Sequence, residues 1–402
     1  MTATRIETTD ILISGGGVAG LTAACAFGAA GFRVICVDPA PPVTEEAAAG
    51  SDLRTTAILH PSVPVLESAG LWPRLLPHAA PLQIMRIVDA GGVEAEPRVV
   101  RDFDAADLSD LPFGWNLPNW LLRREMLARI ADLPNVDFRP GTATTGLLTR
   151  ETEARVRLSD GGMVAARLLV AADGRDSFIR RALGIGVKTR RYGQKALAFA
   201  VTHPIPHQNV STEIHRSGGP FTFVPLPDRN GKPCSAVVWM DDAAEVDRRM
   251  TMPTADFTAE MQARSCNLLG PLTLATRLTA WPIIAQTADR MVGERVALMA
   301  EAAHVMPPIG AQGLNMSLAD LTALLRLAED HRATLGNAAM LAAYHRARHL
   351  DVTTRVMGID LLNRASQIHA QPLRDLRAGA LDALYSIAPV RRTLMRAGIG
   401  VR

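Results

Sequence analysis

The first hydrophobic run of the 402-residue chain, "ILISGGGVAGLTAACAFGAAGFRVICV" at 11–37, holds one charge, Arg33, in 27 positions. Its length alone would suit a membrane span. Three consecutive glycines near its start and Gly31 near its end divide it instead into strand, glycine turn, helix and second strand. Downstream, "SDLRTTAILHPSVPVLESAGLW" predicts a helix opening at Arg54 and running through the Leu66 region, and "LLRREMLARIADL" a helix over 121–133. Residues 154–185 predict a hairpin turned at Asp160-Gly161-Gly162, then a strand "ARLLVAAD" ending in Asp173-Gly174, then a helix start. From 186 to 285 short β-type segments such as "KALAFAVTHPI", "GPFTFVPLPD" and "CSAVVWMD" alternate with Pro, Gly and Asp turns. That change of period predicts an antiparallel sheet inserted between α/β pieces, forming a substrate-covering lobe. Phe221, Phe223, Val224, Leu226 and Trp239, among few polar groups, favour an apolar ligand for that lobe, while any one of them taken singly reads better as sheet core.

The pattern then returns to a short buried strand, "RVALMA", and an amphipathic helix, "MSLADLTALLRLAED". Their connection, "AEAAHVMPPIGAQGLN", is neither a polar turn nor a flexible linker. Pro307 and Pro308 fix φ and remove donors, while Gly310 and Gly313 admit conformations that a Cβ would forbid. Such a loop lets backbone approach a ligand, with a helix N-terminus from about Ser317 aimed at it.

Composition narrows the classes. A net charge of +3 without long basic runs gives no support for nucleic-acid binding. Cys25, Cys36, Cys234 and Cys266 form no CxxC pair, so neither a metal site nor a disulfide framework is expected, and a reducing cytoplasm is the natural compartment. The N-terminal residues lack the pattern of a secretory signal.

Gly15, Gly17 and Gly20 make a G-x-G-x-x-G directly after the first strand, and Asp38 follows Gly20 by 18 residues at the end of the second. This is the Rossmann fingerprint with its parts in place. Gly15 makes the turn, Gly17 lets backbone reach a pyrophosphate, and Gly20 lets helix and strand pack closely. Asp38 accepts hydrogen bonds from ribose hydroxyls. The motif implies NAD or FAD without deciding between them.

Taken together, the GxGxxG, the central "AADGRDS" and the late "AEAAHVMPPIGAQGLN" resemble, in that order, the FAD-dependent aromatic hydroxylases, the single-component flavoprotein monooxygenases. "SDLRTTAI", "YGQKALAFAV", "SAVVW" and "GAQGLNMSLADL" are most similar to the hydroxylases of ubiquinone biosynthesis, the UbiH type. The resemblance implies an α/β fold: a Rossmann-like FAD-binding domain at 1–184 (with substrate-domain segments around 70–120) and 286–345, an antiparallel β substrate domain at 185–285, and a C-terminal helical region at 346–402. It implies FAD, with NAD(P)H as transient reductant, O2 as co-substrate and a prenylated phenol as substrate. Glu301 would meet the FAD ribityl chain, and Gly310, Gly313, Leu314 and Asn315 would line the flavin ring. Arg124 (or Arg123) would reach the ribityl or phosphate region, Arg54 the flavin, and Asp173 both FAD and the nicotinamide cofactor. His304, Pro308 and Gln312 are the flavin-loop candidates for a catalytic part, with a structural role favoured for His304. The usual Gly-Asp of the family stands here as Ala300-Glu301. The same residues also admit a hydroxylase of another small aromatic or polyketide, or a flavin-binding scaffold in a quinone-synthesis complex. The C-terminal "APVRRTLMRAGIGVR", with four arginines and no acid, suits anionic lipid at the inner membrane face or a partner enzyme.

Overall fold

The computed structural model describes residues 6–92, 96–367, 370–372, 374–375, 379 and 385–399. The first 38 residues fold as strand Ile6–Ser14, helix Val18–Ala29 and strand Val34–Asp38. From Thr9 onward the first strand, and nearly all of the second, are buried on both faces, as expected for parallel strands covered by helices. Strand Ile6–Ser14 lies between two parallel neighbours, Met163–Ala171 on one side and Val34–Asp38 on the other, with Val136–Pro140 beyond Val34–Asp38. Val296–Leu298 extends the sheet next to Met163–Ala171. The strand order reverses at Ile6–Ser14, and open α/β sheets bind ligands at such a reversal, beyond the strands' carboxyl ends. Helices Val18–Ala29, Asn119–Ala131 and Gln312–Asp330 bury their apolar sides in one core with these strands.

A second, nine-stranded sheet is built mainly from Val187–Thr202, Val210–His215, Pro220–Arg229, Lys232–Asp242 and Thr279–Ala288. It also recruits Ile84–Asp89 and Val99–Asp104. Its pairs are antiparallel except Val210–His215 with Ile84–Asp89, which run parallel. Two helices, Ala243–Thr251 and Thr254–Arg264, cover one face, although the pattern there read as purely β. A small third sheet joins Thr55–Leu59, Ala80–Leu82 and Gly114–Pro118.

Two expectations are corrected. The segment after Arg54 is strand Thr55–Leu59, and the helix starts only at Val63. "TTAIL" contains β-branched residues and pairs with Gly114–Pro118, so a tertiary ladder overrides a weak helical pattern. The late helix begins at Gln312, not near Ser317, because Ala311 takes a left-handed conformation (φ 55°) and turns the chain there. No helix among the described residues is long and apolar enough to cross a membrane.

Candidate functional site

Four parallel strands end on one side of the first sheet and deliver the sequence-predicted residues together. Ser14 leads to Gly15, Val34–Asp38 ends on Asp38, Ala171 leads to Asp173, and Leu298 leads to Glu301. Gly15 (φ 112°) would place a Cβ 2.2 Å from the Ala172 carbonyl oxygen, and a Cβ on Gly20 would lie 1.9 Å from the Gly15 oxygen. Turn, strand and helix therefore touch backbone to backbone. Gly17 differs: no atom lies within 4 Å of where its Cβ would stand. It opens toward space at the N-terminus of helix Val18–Ala29, which has neither a side-chain cap nor an acid in its first turn. Asp38 accepts from the Gly16 amide (2.5 Å) and the Ala40 amide (2.9 Å). A carboxylate has about four acceptor positions, so two remain for hydroxyl donors.

The late loop approaches from the other side. Helix Gln312–Asp330 also lacks a side-chain cap and a first-turn acid. Gly313 in that turn is exposed, with nothing within 4 Å of a Cβ. Gly310 is left-handed (φ 63°), Pro308 exposed, and Leu314 packs partly on the core. Asn315 is saturated: Nδ2 donates to the Ala57 and Ala311 carbonyls (both 2.7 Å) and Oδ1 accepts from the Leu59 amide (2.8 Å). It ties the helix start to strand Thr55–Leu59. Gln312 donates to the Gly310 and Gly398 carbonyls, bringing the C-terminal helix Ala388–Ile399 to the loop.

Glu301, half exposed, stands 3.5 Å from Arg175, and its charge is felt at Arg54. Arg54 holds Asp52 through two bonds (2.8 and 2.7 Å) and lies over Trp281. Those bonds raise the Arg54 pKa against the opposing effect of burial. Burial works to raise Asp52, but Arg54, Asn119 and Arg123 outweigh it and hold its carboxyl below the usual range. The structure brings Arg123 into this cluster, 3.7 Å from Asp52, with its Nε buried and unpartnered. Arg124 points away, paired with Glu125 and stacked on Trp120. Helical phase carries that distinction: Arg123 is one turn from buried Asn119, while Arg124 leaves the stripe of Leu122, Met126 and Ile130.

Asp173 accepts from the Ser177 hydroxyl (2.5 Å) and the Ile179 amide (3.1 Å), so it fixes the start of helix Phe178–Ala182. Arg180, buried, bonds the Ala302 and Arg175 carbonyls and ties the loops carrying Glu301 and Asp173. His304 sits deep in the protein, its Nε2 2.7 Å from Asp320, which also binds Arg348 (2.8 Å) and the Ala300 amide (3.3 Å). Burial pushes Asp320 upward, but His304 and Arg348 prevail and hold its carboxyl low. Asp52 and Asp320 carry no sequence signal, and Arg175 and Arg180 are marked by the sequence only as the helix start after Asp173-Gly174, because the parts these four play lie in tertiary pairing and not in local pattern.

Phe221, Phe223 and Trp239 do not line the space facing the loop. They fill the core behind the sheet with Phe257 and Met261. The alternate positions Val238 and Met240, with Ala196, Trp281 and Ile283, meet Ile309 of the loop.

These features fit a flavin dinucleotide. The open Gly17 turn and uncapped first helix suit a pyrophosphate, Asp38 a ribose, and the second uncapped helix the electron-rich end of an isoalloxazine ring. The comparisons agree. Ubiquinone hydroxylase UbiL of Rhodospirillum rubrum is 33% identical to this chain over 100% of it and 91% of the relative. The 3-demethoxyubiquinol 3-hydroxylase of Escherichia coli is 26% identical over 98% of this chain and 99% of the relative. The fold matches that of p-nitrophenol 4-monooxygenase PnpA from Pseudomonas putida with a TM-score of 0.80, covering 99% of this chain and 100% of that one at 18% identity. With the FAD binding domain family matching residues 8–358, the chain belongs to that family and takes FAD as its cofactor.

Proposed function

We propose that the protein is an FAD-dependent ring hydroxylase that acts on a prenylated phenol in ubiquinone formation, with NAD(P)H as transient reductant and O2 as co-substrate. The observation that carries this reading is the meeting of two uncapped helix N-termini, those of Val18–Ala29 and Gln312–Asp330, across strand ends bearing Asp38, Asp173 and Glu301. The names of the UbiL and 3-demethoxyubiquinol relatives support the substrate class. When bound, FAD supplies hydride acceptance and oxygen activation. The chain's residues do the rest: Gly15, Gly17 and Gly20 seat the dinucleotide, and Glu301, Arg54 and Arg123 present polar groups to its middle. Gly310, Gly313, Leu314 and Asn315 shape the wall for the ring. His304 holds the loop, its ring bonded inward to Asp320, and Pro308 and Gln312 shape the loop without a proton to move. The apolar row Ala196, Val238, Met240 and Trp281 facing Ile309 offers a dry place for an aromatic ring.

The same reading divides the chain as an FAD-binding domain at 1–184 and 286–345, a substrate domain at 185–285 with segments from 70–120, and a helical region at 346–402. It places the protein in the cytoplasm with peripheral contact to anionic membrane or to a quinone-pathway complex. Leu350, Met357 and Leu361, on one side of helix Ala338–Ser366 and 66–71% exposed, support such contact. In the basic tail, Gly400, Val401 and Arg402 and the side chains of Leu394 and Ile399 lie outside the described residues. The test is a quinone profile by mass spectrometry in the source organism lacking this gene, grown with air. Loss of ubiquinone with accumulation of a prenylated phenol one hydroxyl short is expected. Unchanged ubiquinone in a strain without a second such hydroxylase would overturn the reading.

A further inference from the structure

A cavity of about 440 Å³ lies at the edge of the large sheet, lined by Arg216, Ser217, Asp241, Arg249, Arg264 and Arg374 among others. It is separate from the flavin loop. Asp241 alternates with Met240 along its strand and so shares the side of Trp239, under helices Ala243–Thr251 and Thr254–Arg264, whereas Met240 meets Ile309.

Among the described lining residues, four arginines accompany a single acid. Asp241, the one carboxylate among the described residues of that lining, is engaged by Arg249 at 2.8 Å. Arg249 is further held by Glu260 at 3.0 Å and lies over the Trp239 ring. Arg264 is treated differently. It is 7% exposed, donates from Nη2 to the Gly219 carbonyl, and leaves Nη1 buried without a partner. No ion pair reaches it among the described residues. Burial, with Arg216 and Arg249 nearby, pushes its pKa down to about 10 against the pull of Asp241, so it stays charged at neutral pH. Arg374, from the C-terminal region, bonds Gln371 and also keeps a buried Nε without a partner. A buried guanidinium without a carboxylate is costly unless an anion completes it. The planar, multi-donor guanidinium matches phosphate oxygens best.

We propose that this cavity binds a phosphate group, carried by a soluble phosphate ester or by an anionic phospholipid headgroup, with Arg264 as its buried anchor and Arg216 and Arg374 closing on it. The site does not depend on the hydroxylase reading, because none of its residues belongs to the flavin site.

The test uses the full FAD-loaded chain and two variants, Arg264→Met and Arg216→Gln, with flavin absorbance and melting temperature confirming the fold. Calorimetric titration with pyrophosphate probes the soluble source. Co-sedimentation with vesicles of phosphatidylglycerol and phosphatidylcholine, against phosphatidylcholine alone, probes the lipid source. One saturable site or phosphatidylglycerol-dependent sedimentation is expected, weakened about tenfold or more by either variant. Should Arg264→Met fail to fold, Arg216→Gln at its half-buried position carries the comparison. The proposal is overturned if neither probe binds, or if binding is equal in wild type and the folded variants.

Discussion

Gly17 and Gly20 stand three residues apart in one motif, yet the structure assigns them opposite costs. A Cβ at Gly20 would lie 1.9 Å from the Gly15 oxygen, so helix Val18–Ala29 must retreat about 1.5 Å to reach ordinary contact. That helix is buried from Gly20 to Gly28, and overpacking of such an element costs about 1–3 kcal/mol. Gly20→Ala should sit at the upper end, because backbone and not a flexible side chain is in the way. Gly17 has open space around the same position and φ −68°, ψ 176°, which alanine adopts without strain. There the gain of roughly 0.4–1 kcal/mol from a stiffer unfolded chain offsets the weaker N-cap, and the flavin-free variant should stay within about 0.5 kcal/mol of flavin-free wild type. The added methyl would instead occupy the approach to the helix amides. Urea unfolding of both variants, and the flavin-to-protein absorbance ratio after gel filtration, separate the two effects. Gly17→Ala should fold normally and emerge depleted of FAD; Gly20→Ala should unfold at lower urea. A Gly17→Ala protein that keeps its full flavin complement would refute the assignment of that open space to the pyrophosphate.

Removing Asp320, fully buried with His304, Arg348 and the Ala300 amide on its oxygens, leaves a buried cation short of a partner. Asp320→Ala should lose about 3 kcal/mol or more in chemical denaturation, and a loss below about 1 kcal/mol would contradict the network. Asp320 and Asp52 both titrate below their usual range when folded, so their stabilisation is complete above the unfolded carboxyl value near pH ~3.9 and is lost as pH falls through the lower folded values. The unfolding midpoint should therefore be flat from about pH 7 to 5 and fall below about 4, with a shallower acid limb in Asp320→Asn; an unchanged limb would remove Asp320 from the account. Asn315→Ala strands the buried Leu59 amide and Ala57 carbonyl and should cost about 2–4 kcal/mol, read by thermal or urea unfolding.

The first βαβ unit was legible because its signals are local: a strand, a glycine turn and a helix in 25 residues, with Asp38 placed by strand length. The reach of the inserted sheet was less so. Its parallel partner, Ile84–Asp89, comes from over 100 residues before Val210–His215, and no periodicity records such a pairing. Helices 243–251 and 254–264 were hidden by the proline at 253 and a polar composition. Aromatic content read two ways: Phe221, Phe223 and Trp239 together suggested an apolar ligand lobe and singly read as sheet core, and alternation along paired strands turns them to the helix-covered core and leaves Val238, Met240 and Trp281 toward the loop. Of the site itself, motif residues were readable and their supports were not. Asp52, Arg180 and Asp320 act through partners distant in sequence.

Those supports explain how a loop with two prolines keeps a single shape. Ala300 and Ala311 bracket it, each at φ 55°, a conformation that costs an L-residue about 1–2 kcal/mol. Each alanine is pinned by a side chain of the same helix: Asp320 accepts from the Ala300 amide, and Asn315 donates to the Ala311 carbonyl. Asp320 is itself fixed by Arg348, which pairs with Asp351 (2.7 Å), and Asp351 with Arg355 (3.1 Å), whose Nη1 reaches Gln312 at the loop's end (3.4 Å). The chain of contacts thus leaves the loop through Asp320 and returns to it through Gln312. Strain at the two bends persists because helix Gln312–Asp330 and helix Ala338–Ser366 over-determine both ends. A glycine at position 300 would relieve the bend but loosen the loop, so Ala300 trades local strain for a pre-formed wall. The departure Ala300-Glu301 is therefore compatible with a flavin loop, since the carboxylate is kept at the rim and the backbone turn is held by its surroundings.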